Sequence, residues 1–316
     1  MKKIILIILS LLNILPASAV NRADTLWAHV TIPVACIREK PSHSAQMTSQ
    51  AILGTPLRIT GQPDNEWLAI EGPDGYTGYM IYSSVTRPSH DEMMAWRKAD
   101  RLVVRPPREV IAYTSPVDRS PRSVMTELVP GSIVEGVLSA DSVTAIRLPD
   151  GRSGWVRTAS LMPVEQWASQ PLSTDSVILT AYSLMGAPYL WGGMSTKAVD
   201  CSGLVRVAYQ GNGILLRRDA SQQIHTGKKI SPAAPVDSLR RGDLLFFSYV
   251  PGGRISHVAL YDSDSTYIHS SGRVKVNHMK PDDPDFSHRV YRGASRIEGA
   301  IPSPGITTFR LHPWYF

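Results

Sequence analysis

The sequence predicts a multidomain protein in which two small all-β barrels precede an α+β domain. Its 316 residues are too many for one ordinary domain, so two or three compact units are expected. Short alternating apolar runs broken by turns fill about residues 27–86, and the same pattern recurs over about residues 102–162. From about residue 173 helices come first and strands later, which is typical of an α+β unit.

The N-terminus has the features of a secretory signal peptide. Two lysines precede an apolar run over residues 4–15, and Pro-Ala-Ser-Ala at residues 16–19 fits a cleavage site. The run is shorter than the ~20 residues that cross a bilayer. No cysteine follows it closely enough for lipid attachment. We therefore expect residues 1–19 to be removed and the mature protein to be periplasmic or secreted, without stable membrane insertion.

The first barrel is predicted over residues 20–88 and the second over residues 102–165. Strands of the first are expected at residues 29–32, 57–60, 67–70 and 78–81. Residues 72–80 (Gly-Pro-Asp-Gly-Tyr-Thr-Gly-Tyr-Met) align with residues 148–156 (Leu-Pro-Asp-Gly-Arg-Ser-Gly-Trp-Val). This alignment indicates an internal duplication.

A short helical linker is predicted between the barrels, over residues 89–101. Ser89 is placed to cap the helix, and Met93 and Trp96 should face inward. We interpret this segment as a packed linker.

The α+β domain is predicted over residues 173–316. A helix capped by Ser173 or Thr174 should run to about Met185, and a second helix should begin at Cys201 after a Gly-containing loop. Strands are expected at residues 243–247, 255–261, 266–270 and 289–291.

Composition and charge exclude one class of partner. The formal net charge of +6 is mild, and the two lysines of the signal peptide contribute to it. No block of basic residues with interleaved aromatics occurs, so a nucleic-acid partner is not expected. Cys36 and Cys201 could pair in an oxidising compartment. We favour a free Cys36 that is a small buried residue of a strand, because the position of Cys201 suits a catalytic role better than a disulfide.

Cys201 is a candidate nucleophile because of its position. At the first turn of a helix, backbone N–H groups and the positive helix end stabilise a thiolate, so we expect a lowered thiol pKa. A single buried cysteine is more often inert than catalytic, so a base is also required.

Two histidines are candidates for the base and its orienting partner. His257 and His269 lie in two predicted strands, with the turn-forming residues 262–265 between them. A hairpin centred on residue 263 would place the two rings opposite each other on one face of the sheet. One imidazole could then accept the thiol proton while the second orients the first. A metal site at Cys201, His257 and His269 is the competing interpretation, although no closely spaced ligand pair accompanies them.

Four segments then carry a family resemblance. They are residues 189–193 (Tyr-Leu-Trp-Gly-Gly), 200–205 (Asp-Cys-Ser-Gly-Leu-Val), 241–247 (Arg-Gly-Asp-Leu-Leu-Phe-Phe) and 256–261 (Ser-His-Val-Ala-Leu-Tyr). In this order and spacing they resemble the motifs of the NlpC-type cell-wall cysteine peptidases, and each barrel resembles the bacterial SH3-like domain. The resemblance implies a papain-like core. It also implies Cys201 as nucleophile, His257 as general base, His269 as third polar residue and Tyr189 beside the oxyanion site.

Two SH3-like barrels ahead of this core resemble the γ-D-glutamyl-L-diamino acid endopeptidases, or dipeptidyl-peptidase VI group. That resemblance implies cleavage of the γ-D-Glu–diamino acid bond in murein peptides with a free N-terminal L-Ala, which releases L-Ala-D-Glu. It implies that Asp219, within residues 218–222 (Arg-Asp-Ala-Ser-Gln), binds the free amine, with a further hydrogen bond from Ser202. Ala220 stands where some relatives carry Ser. Trp191 is a further candidate for substrate binding.

In the same group a tyrosine of the first SH3-like barrel closes the substrate pocket. Tyr79 and Tyr82 are the candidates, and alternation along a strand would place them on opposite faces. We favour Tyr82, because Tyr79 aligns with Trp155 of the second barrel and should lie in the core.

Two alternative functions stay open from the sequence. One is a peptidoglycan-binding protein whose papain-like domain is inactive, and the other is an endopeptidase that acts on intact, cross-linked peptidoglycan. The sequence indicates no cofactor and no metal, and we expect a monomer that binds a murein tripeptide or a related cell-wall peptide.

Overall fold

A computed structural model describes residues 25–282 and 289–316. The predicted signal peptide therefore lies outside the described residues. Within the described part, no helix is both long enough and apolar enough to span a bilayer.

The first barrel is a seven-stranded antiparallel sheet with the strand order β3-β2-β6-β5-β4-β1-β7. Alternating apolar residues, among them Ile37, Leu68 and Met80, fill its interior. Its strands are β1 (Trp27–Val30), β2 (Val34–Arg38), β3 (Met47–Ile52), β4 (Pro56–Gly61), β5 (Trp67–Glu71), β6 (Thr77–Ile81) and β7 (Val85–Thr86).

The second barrel repeats this topology. Its strand order is β10-β9-β13-β12-β11-β8-β14, which matches the order of the first barrel position by position. The duplication predicted from the sequence is thus confirmed by the connectivity. Its strands are β8 (Arg101–Val104), β9 (Val110–Tyr113), β10 (Val124–Leu128), β11 (Ile133–Glu135), β12 (Val143–Arg147), β13 (Ser153–Arg157) and β14 (Leu161–Pro163).

Helix α1 (His90–Lys98) joins the two barrels. Ser89 and Glu92 form a capping box at its start, which satisfies two free N–H groups. Met93 and Trp96 are buried as predicted. They pack in one apolar cluster with residues of both barrels and with Trp167 and Phe309 further along the chain. The linker is therefore part of a core that all three units share.

The remaining residues form the C-terminal unit, which we define as residues 173–316. It follows the short helix α2 (Val164–Ser169), which the sequence did not predict. Its helices are α3 (Thr174–Ser183), α4 (Cys201–Gln210) and α5 (Ala220–Gln223). Its strands are β15 (Met194–Ser195), β16 (Ala198–Val199), β17 (Ile214–Leu216), β18 (Lys228–Ile230), β19 (Leu244–Ser248), β20 (His257–Tyr261), β21 (Thr266–Ser271), β22 (Arg273–His278), β23 (Val290–Arg296) and β24 (Ile306–Thr308).

The main sheet of the C-terminal unit has six antiparallel strands in the order β18-β23-β19-β20-β21-β22. Helices α3 and α4 pack on it through Ile178, Leu204 and Val205, which are fully buried with Phe246 and Val258 of the sheet. The predicted multidomain architecture, two SH3-like barrels and a papain-like α+β unit, is confirmed. The predicted elements differ in detail, since α3 ends two residues early, β20 begins at His257 and β22 was not predicted.

Both cysteines are free in the structure. Cys36 lies in β2 as predicted. Its side chain is half-buried and not fully buried as expected, because it belongs to the face of β2 that alternates with the barrel core.

Candidate active site

Cys201 is the first residue of α4, as the sequence predicts. Asp200 is the N-cap residue, and its Oδ1 accepts the Gly203 N–H at 2.7 Å, a cap that fixes where the helix begins. The Cys201 sulfur accepts hydrogen bonds from the backbone N–H groups of Ser202 and Val258. Val258 follows His257 directly, so the thiol lies against the start of β20, where the predicted base is located.

The thiol pKa differs from the sequence prediction. Burial, followed by the negative charge of Asp200, raises the pKa of Cys201 from 9.0 to about 11. The N–H groups of Ser202 and Val258 and the Arg218 guanidinium act in the opposite direction but are weaker. The expected lowering by the helix end was therefore wrong, because the side chain is only 7% exposed and desolvation disfavours the charged form.

His257 and His269 lie within hydrogen-bonding distance, with Nε2 of the first 2.8 Å from Nδ1 of the second. The predicted hairpin exists, but its register is centred on residue 264, since Leu260 pairs with Ile268. The centre shifts because Asp264 and Ser265 adopt positive φ in the turn. The two histidines are consequently diagonal neighbours on one face and not directly opposite, a spacing that cross-strand side chains still bridge.

Both imidazoles are held in the neutral form. Burial is the largest cause and lowers the pKa of His257 well below 6.5, with further contributions from Arg289, His269 and Lys275. Burial also lowers the pKa of His269 to about 4. On its other side, His269 Nε2 lies 3.1 Å from Oδ1 of Asn277 on β22. Asn277 was not among the predicted site residues, although the alternation of residues 273–278 could have indicated its strand.

Tyr189 lies in the loop that follows α3, and its backbone N–H donates to the Gly272 carbonyl at 3.0 Å. Burial, followed by the charges of Cys201 and Asp200, raises the pKa of its phenol above the ordinary value. The hydroxyl therefore stays protonated beside the sulfur and can donate a hydrogen bond to an oxyanion. Trp191, two residues further along, is 57% exposed.

A buried ionic network supports the start of α4. Arg218 is 1% exposed, and its guanidinium binds Asp200 Oδ2 at 2.6 Å and Ser202 Oγ at 2.9 Å. Its Nε donates to Ser49 Oγ of the first barrel at 3.0 Å. The hydroxyl of Ser202, predicted to bind substrate, is thus engaged by Asp200 and Arg218. Arg218 was not among the predicted site residues, although it stands next to Asp219 in the sequence.

Asp219 is half-buried at the start of α5. Burial raises the pKa of its carboxyl, and the nearby Asp200 adds to this effect while Arg218 opposes it. Its backbone N–H donates to Gln222 Oε1 at 3.0 Å, so the residue also caps α5. Among the residues that the structure describes, its carboxylate forms no ion pair.

Tyr76 of the first barrel lies close enough to Asp219 for the Asp219 charge to act on its hydroxyl. The Asp219 charge contributes to the raised pKa of Tyr76, whose largest cause is burial. Tyr79 is half-buried in β6 and pairs with Arg38 and Ala69. Tyr82 is 52% exposed in the turn after β6. Within residues 25–282 and 289–316, neither makes a hydrogen bond or ring contact with the C-terminal unit.

The core position expected for Tyr79 was therefore wrong, whereas the preference for Tyr82 as the pocket residue stays a prediction, with Tyr76 as a second candidate. Tyr76 lies in the turn of residues 72–80 that revealed the duplication. Its sequence position alone carries no sign that this turn faces the C-terminal unit.

A metal centre has no support in the donor set of the described residues. Nowhere in that part do three or more His, Cys, Asp or Glu side chains come together in an arrangement that could hold an ion.

Comparisons with known proteins agree on both kinds of unit. The NlpC/P60 family model matches residues 186–294, and the model of the bacterial dipeptidyl-peptidase SH3 domain matches residues 37–84. The chain is 31% identical to dipeptidyl-peptidase 6 of Lysinibacillus sphaericus over 274 residues, which cover 84% of this chain and 94% of that protein. It is 29% identical to the γ-D-glutamyl-L-lysine dipeptidyl-peptidase of Bacillus subtilis (strain 168), over 70% of this chain and 71% of that one.

A solved structure has the same fold. It is an NlpC/P60 family protein from Bacillus cereus ATCC 10987, which superposes with a TM-score of 0.73 at 22% sequence identity. The superposition covers 85% of this chain and 99% of the other, so the similarity extends over the barrels as well as the C-terminal unit.

Proposed function

The chain belongs to the NlpC/P60 family and is a cysteine peptidase, and from this premise we propose that it cleaves murein peptides with a free N-terminal L-Ala. The scissile bond is the one between the γ-carboxyl of D-Glu and the L-diamino acid, and the released product is L-Ala-D-Glu. The names of two relatives, a dipeptidyl-peptidase and a γ-D-glutamyl-L-lysine dipeptidyl-peptidase, support this substrate class. The third residue of such a peptide is an L-diamino acid, either lysine or diaminopimelate.

Asp219 is the residue on which the free-amine specificity depends. Its carboxylate is half-buried and free of ion pairs in the described part of the chain. An ammonium bound there would form a charge-assisted hydrogen bond in a partly desolvated setting, which is stronger than a neutral one. A blocked amine would leave this carboxylate without a partner, and such a loss produces strong discrimination.

The first barrel supports the preference for a short peptide. Asp74 of this barrel forms an ion pair with Arg206 of α4, and Gln50 Oε1 accepts the Met194 N–H at 2.9 Å. Ser49 contacts Arg218, as described above. These contacts hold the barrel against the C-terminal unit, and in our proposal the barrel limits how far a peptide can extend beyond the substrate amine.

Arg254 is available for the α-carboxylate of D-Glu. It lies in the exposed loop before His257, and its charge reaches Asp219. No ion pair engages it within the described residues. In L-Ala-γ-D-Glu the ammonium and the α-carboxylate are close neighbours, so a carboxylate and a guanidinium near each other match this zwitterion.

The catalytic sequence begins with proton transfer from the thiol to His257. Because the thiol pKa is about 11, the proton leaves as the sulfur attacks the γ-carbonyl carbon and not before substrate binds. The tetrahedral oxyanion accepts hydrogen bonds from N–H groups of the first turn of α4 and from the Tyr189 hydroxyl. The His257 imidazolium then protonates the leaving amine, the C–N bond breaks, and water hydrolyses the thioester with His257 as base.

The deciding experiment compares L-Ala-γ-D-Glu-L-diamino acid with the same peptide acetylated on L-Ala. We expect release of L-Ala-D-Glu from the first and at least a roughly hundredfold lower kcat/KM on the second. Asp219→Asn should reduce this ratio mainly through the free-amine peptide. Equal rates on both peptides, or faster cleavage of intact peptidoglycan, would favour the endopeptidase alternative.

The second alternative, an inactive binding protein, is tested by the thiol. Cys201→Ala should abolish product release and leave peptide binding intact. Residual cleavage equal to that of the wild type would contradict the assignment of Cys201 as nucleophile. We further propose that the protein acts after export as a monomer. Light scattering and the N-terminal sequence of the secreted product would test these two points.

A further inference from the structure

We propose that Asn277 is a positioning residue that fixes the tautomers of both active-site histidines and thereby leaves Nδ1 of His257 as the basic nitrogen. This role of Asn277 rests on the proposed functions of Cys201 as nucleophile and His257 as base, and it is the same for any peptide substrate.

The three side chains form one chain of hydrogen bonds across three adjacent strands. His257 of β20 contacts His269 of β21 through Nε2 and Nδ1 at 2.8 Å. His269 Nε2 lies 3.1 Å from Asn277 Oδ1 on β22. His269 is aligned with Lys275 across the β21–β22 pair, so Asn277 is its diagonal neighbour, just as His269 is the diagonal neighbour of His257. All three side chains are at most 6% exposed.

The donor and acceptor properties of these atoms determine the protons. An amide oxygen accepts and cannot donate, so His269 must carry its proton on Nε2. Nδ1 of His269 is then an acceptor, so Nε2 of His257 must donate the hydrogen bond between the two histidines. A neutral imidazole holds one N–H proton, so Nδ1 of His257 is unprotonated and can accept the thiol proton.

The opposite orientation of the amide would remove the base. If the amide nitrogen of Asn277 faced His269, the ring would have to accept at Nε2 and carry its proton on Nδ1. His257 would then accept at Nε2 and carry its own proton on Nδ1, which could no longer deprotonate the thiol. A single buried acceptor two strands away therefore decides whether the catalytic imidazole is a base.

Asparagine differs from a carboxylate at this position because it orients without adding charge. The charged groups around the two rings are cationic, namely Lys275 and Arg289, and Tyr267 lies against the His269 ring with centroids 5.1 Å apart. A neutral acceptor in this setting keeps both imidazoles uncharged. We infer that the site is built for a neutral base and not for a preformed thiolate–imidazolium pair.

The test combines Asn277→Leu, Asn277→Asp and tautomer measurement. In protein labelled with ¹⁵N-histidine, long-range ¹H–¹⁵N correlations at pH 7 should show His257 and His269 protonated on Nε2 only. Asn277→Leu should mix the tautomers and lower kcat roughly 10- to 100-fold with little change in KM, the range for lost outer partners of an oriented histidine. Asn277→Asp should restore the tautomers and most of kcat, and should shift the acidic limb of kcat/KM to higher pH, because a carboxylate favours imidazolium.

A buried asparagine elsewhere provides the matched control. Asn212 is 2% exposed and donates to the Ala208 carbonyl at the far end of α4. Asn212→Leu should lower stability and leave the histidine signals and the pH profile unchanged. The proposal fails if wild-type His257 carries its proton on Nδ1, or if Asn277→Asp loses as much kcat as Asn277→Leu. The tautomers measured in the wild-type protein test the proposal even if Asn277→Leu does not fold.

Discussion

Arg206 of the catalytic helix α4 forms a buried ion pair with Asp74 of the first SH3-like barrel, with Nη1 2.5 Å from Oδ2 and both side chains less than 10% exposed. Asp74 also holds its own turn, since Oδ1 accepts the Tyr76 N–H at 3.2 Å. The same carboxylate thus joins α4, the helix that begins at Cys201, to the turn that carries Tyr76. The docking of the first barrel and the position of Tyr76 are physically linked through this residue.

Removal of this carboxylate should destabilise the protein strongly. Asp74→Ala leaves Arg206 buried without a counter-ion, which costs about 3–5 kcal/mol. The duplication supplies the control, because Asp150 occupies the aligned turn and accepts the Arg152 N–H at 3.2 Å. Among the residues that the structure describes, its carboxylate pairs only with the exposed Arg152. Asp150→Ala should cost less than about 1 kcal/mol. Urea unfolding measures both, and equal losses would contradict a role for burial of the pair.

Alkylation of Cys201 should reveal a protonated thiol. In a Cys36→Ser background, the rate with neutral iodoacetamide should be low at pH 7 and rise roughly tenfold per pH unit toward the thiol pKa of about 11, because only the thiolate reacts. Cys201→Ala gives the blank. A fast plateau across neutral pH would instead demonstrate a preformed ion pair with His257, in contradiction to the raised thiol pKa.

Tyr76 and Tyr82 make a matched pair for the substrate pocket. Tyr76→Phe should raise KM for the free-amine peptide about five- to tenfold, because one hydrogen bond near Asp219 contributes about 1 kcal/mol. Tyr82→Phe removes the same atom from an exposed turn and should leave kcat and KM unchanged. Steady-state kinetics on the free-amine peptide distinguish the two tyrosines. A raised KM in Tyr82→Phe with no change in Tyr76→Phe would assign Tyr82 to the pocket.

The free energy of unfolding should fall in mild acid partly because of His29. Its side chain is buried against Trp96, and burial, with a smaller effect of Arg101, lowers its pKa from 6.5 to about 4. Below pH 6.5 the unfolded chain therefore binds a proton at His29, whereas the folded chain binds it only near pH 4. The free energy of unfolding falls as the pH is lowered from 6.5 to 4, by up to about 3 kcal/mol.

His29→Gln cannot titrate and should reduce that pH dependence. The difference in free energy of unfolding between pH 7.5 and pH 5 should be smaller in the variant than in the wild type. His257 and His269 still contribute to both proteins. An unchanged difference would mean that His29 is already neutral in the unfolded chain over this range or accessible to protons in the folded one.

Local signals were sufficient for much of the fold and for the main site residues. The two-residue period of the strands, the turn residues and the helix-start pattern at Asp200 and Cys201 are properties of short stretches of chain. They predicted both barrels, their duplication and the first residue of α4. Strand alternation also put His257 and His269 on one face, and this parity survives the shift of the hairpin centre, since the shift moves the pairing by two residues.

The errors concern properties that depend on what surrounds a residue. The register was wrong by one position at the centre because Asp264 and Ser265 take positive φ, a conformation that the composition of the turn permits but does not impose. Tyr79 was expected in the core, yet it is half-buried like the aligned Trp155, because alignment alone does not show how far neighbouring residues cover a side chain. Asn277 belongs to β22, and its contact with His269 follows only from the pairing of β22 with β21.

From its sequence alone, this protein's architecture, the start of α4 at Cys201 and the common face of its two histidines were determined, because periodicity and capping are encoded over a few neighbouring residues. Only the tertiary structure decided that burial raises the thiol pKa of Cys201, that a buried arginine links Asp200 to the first barrel, and that Asn277 lies within hydrogen-bonding distance of His269. These properties depend on desolvation and on contacts between residues far apart in the chain, and neither is specified by any local pattern.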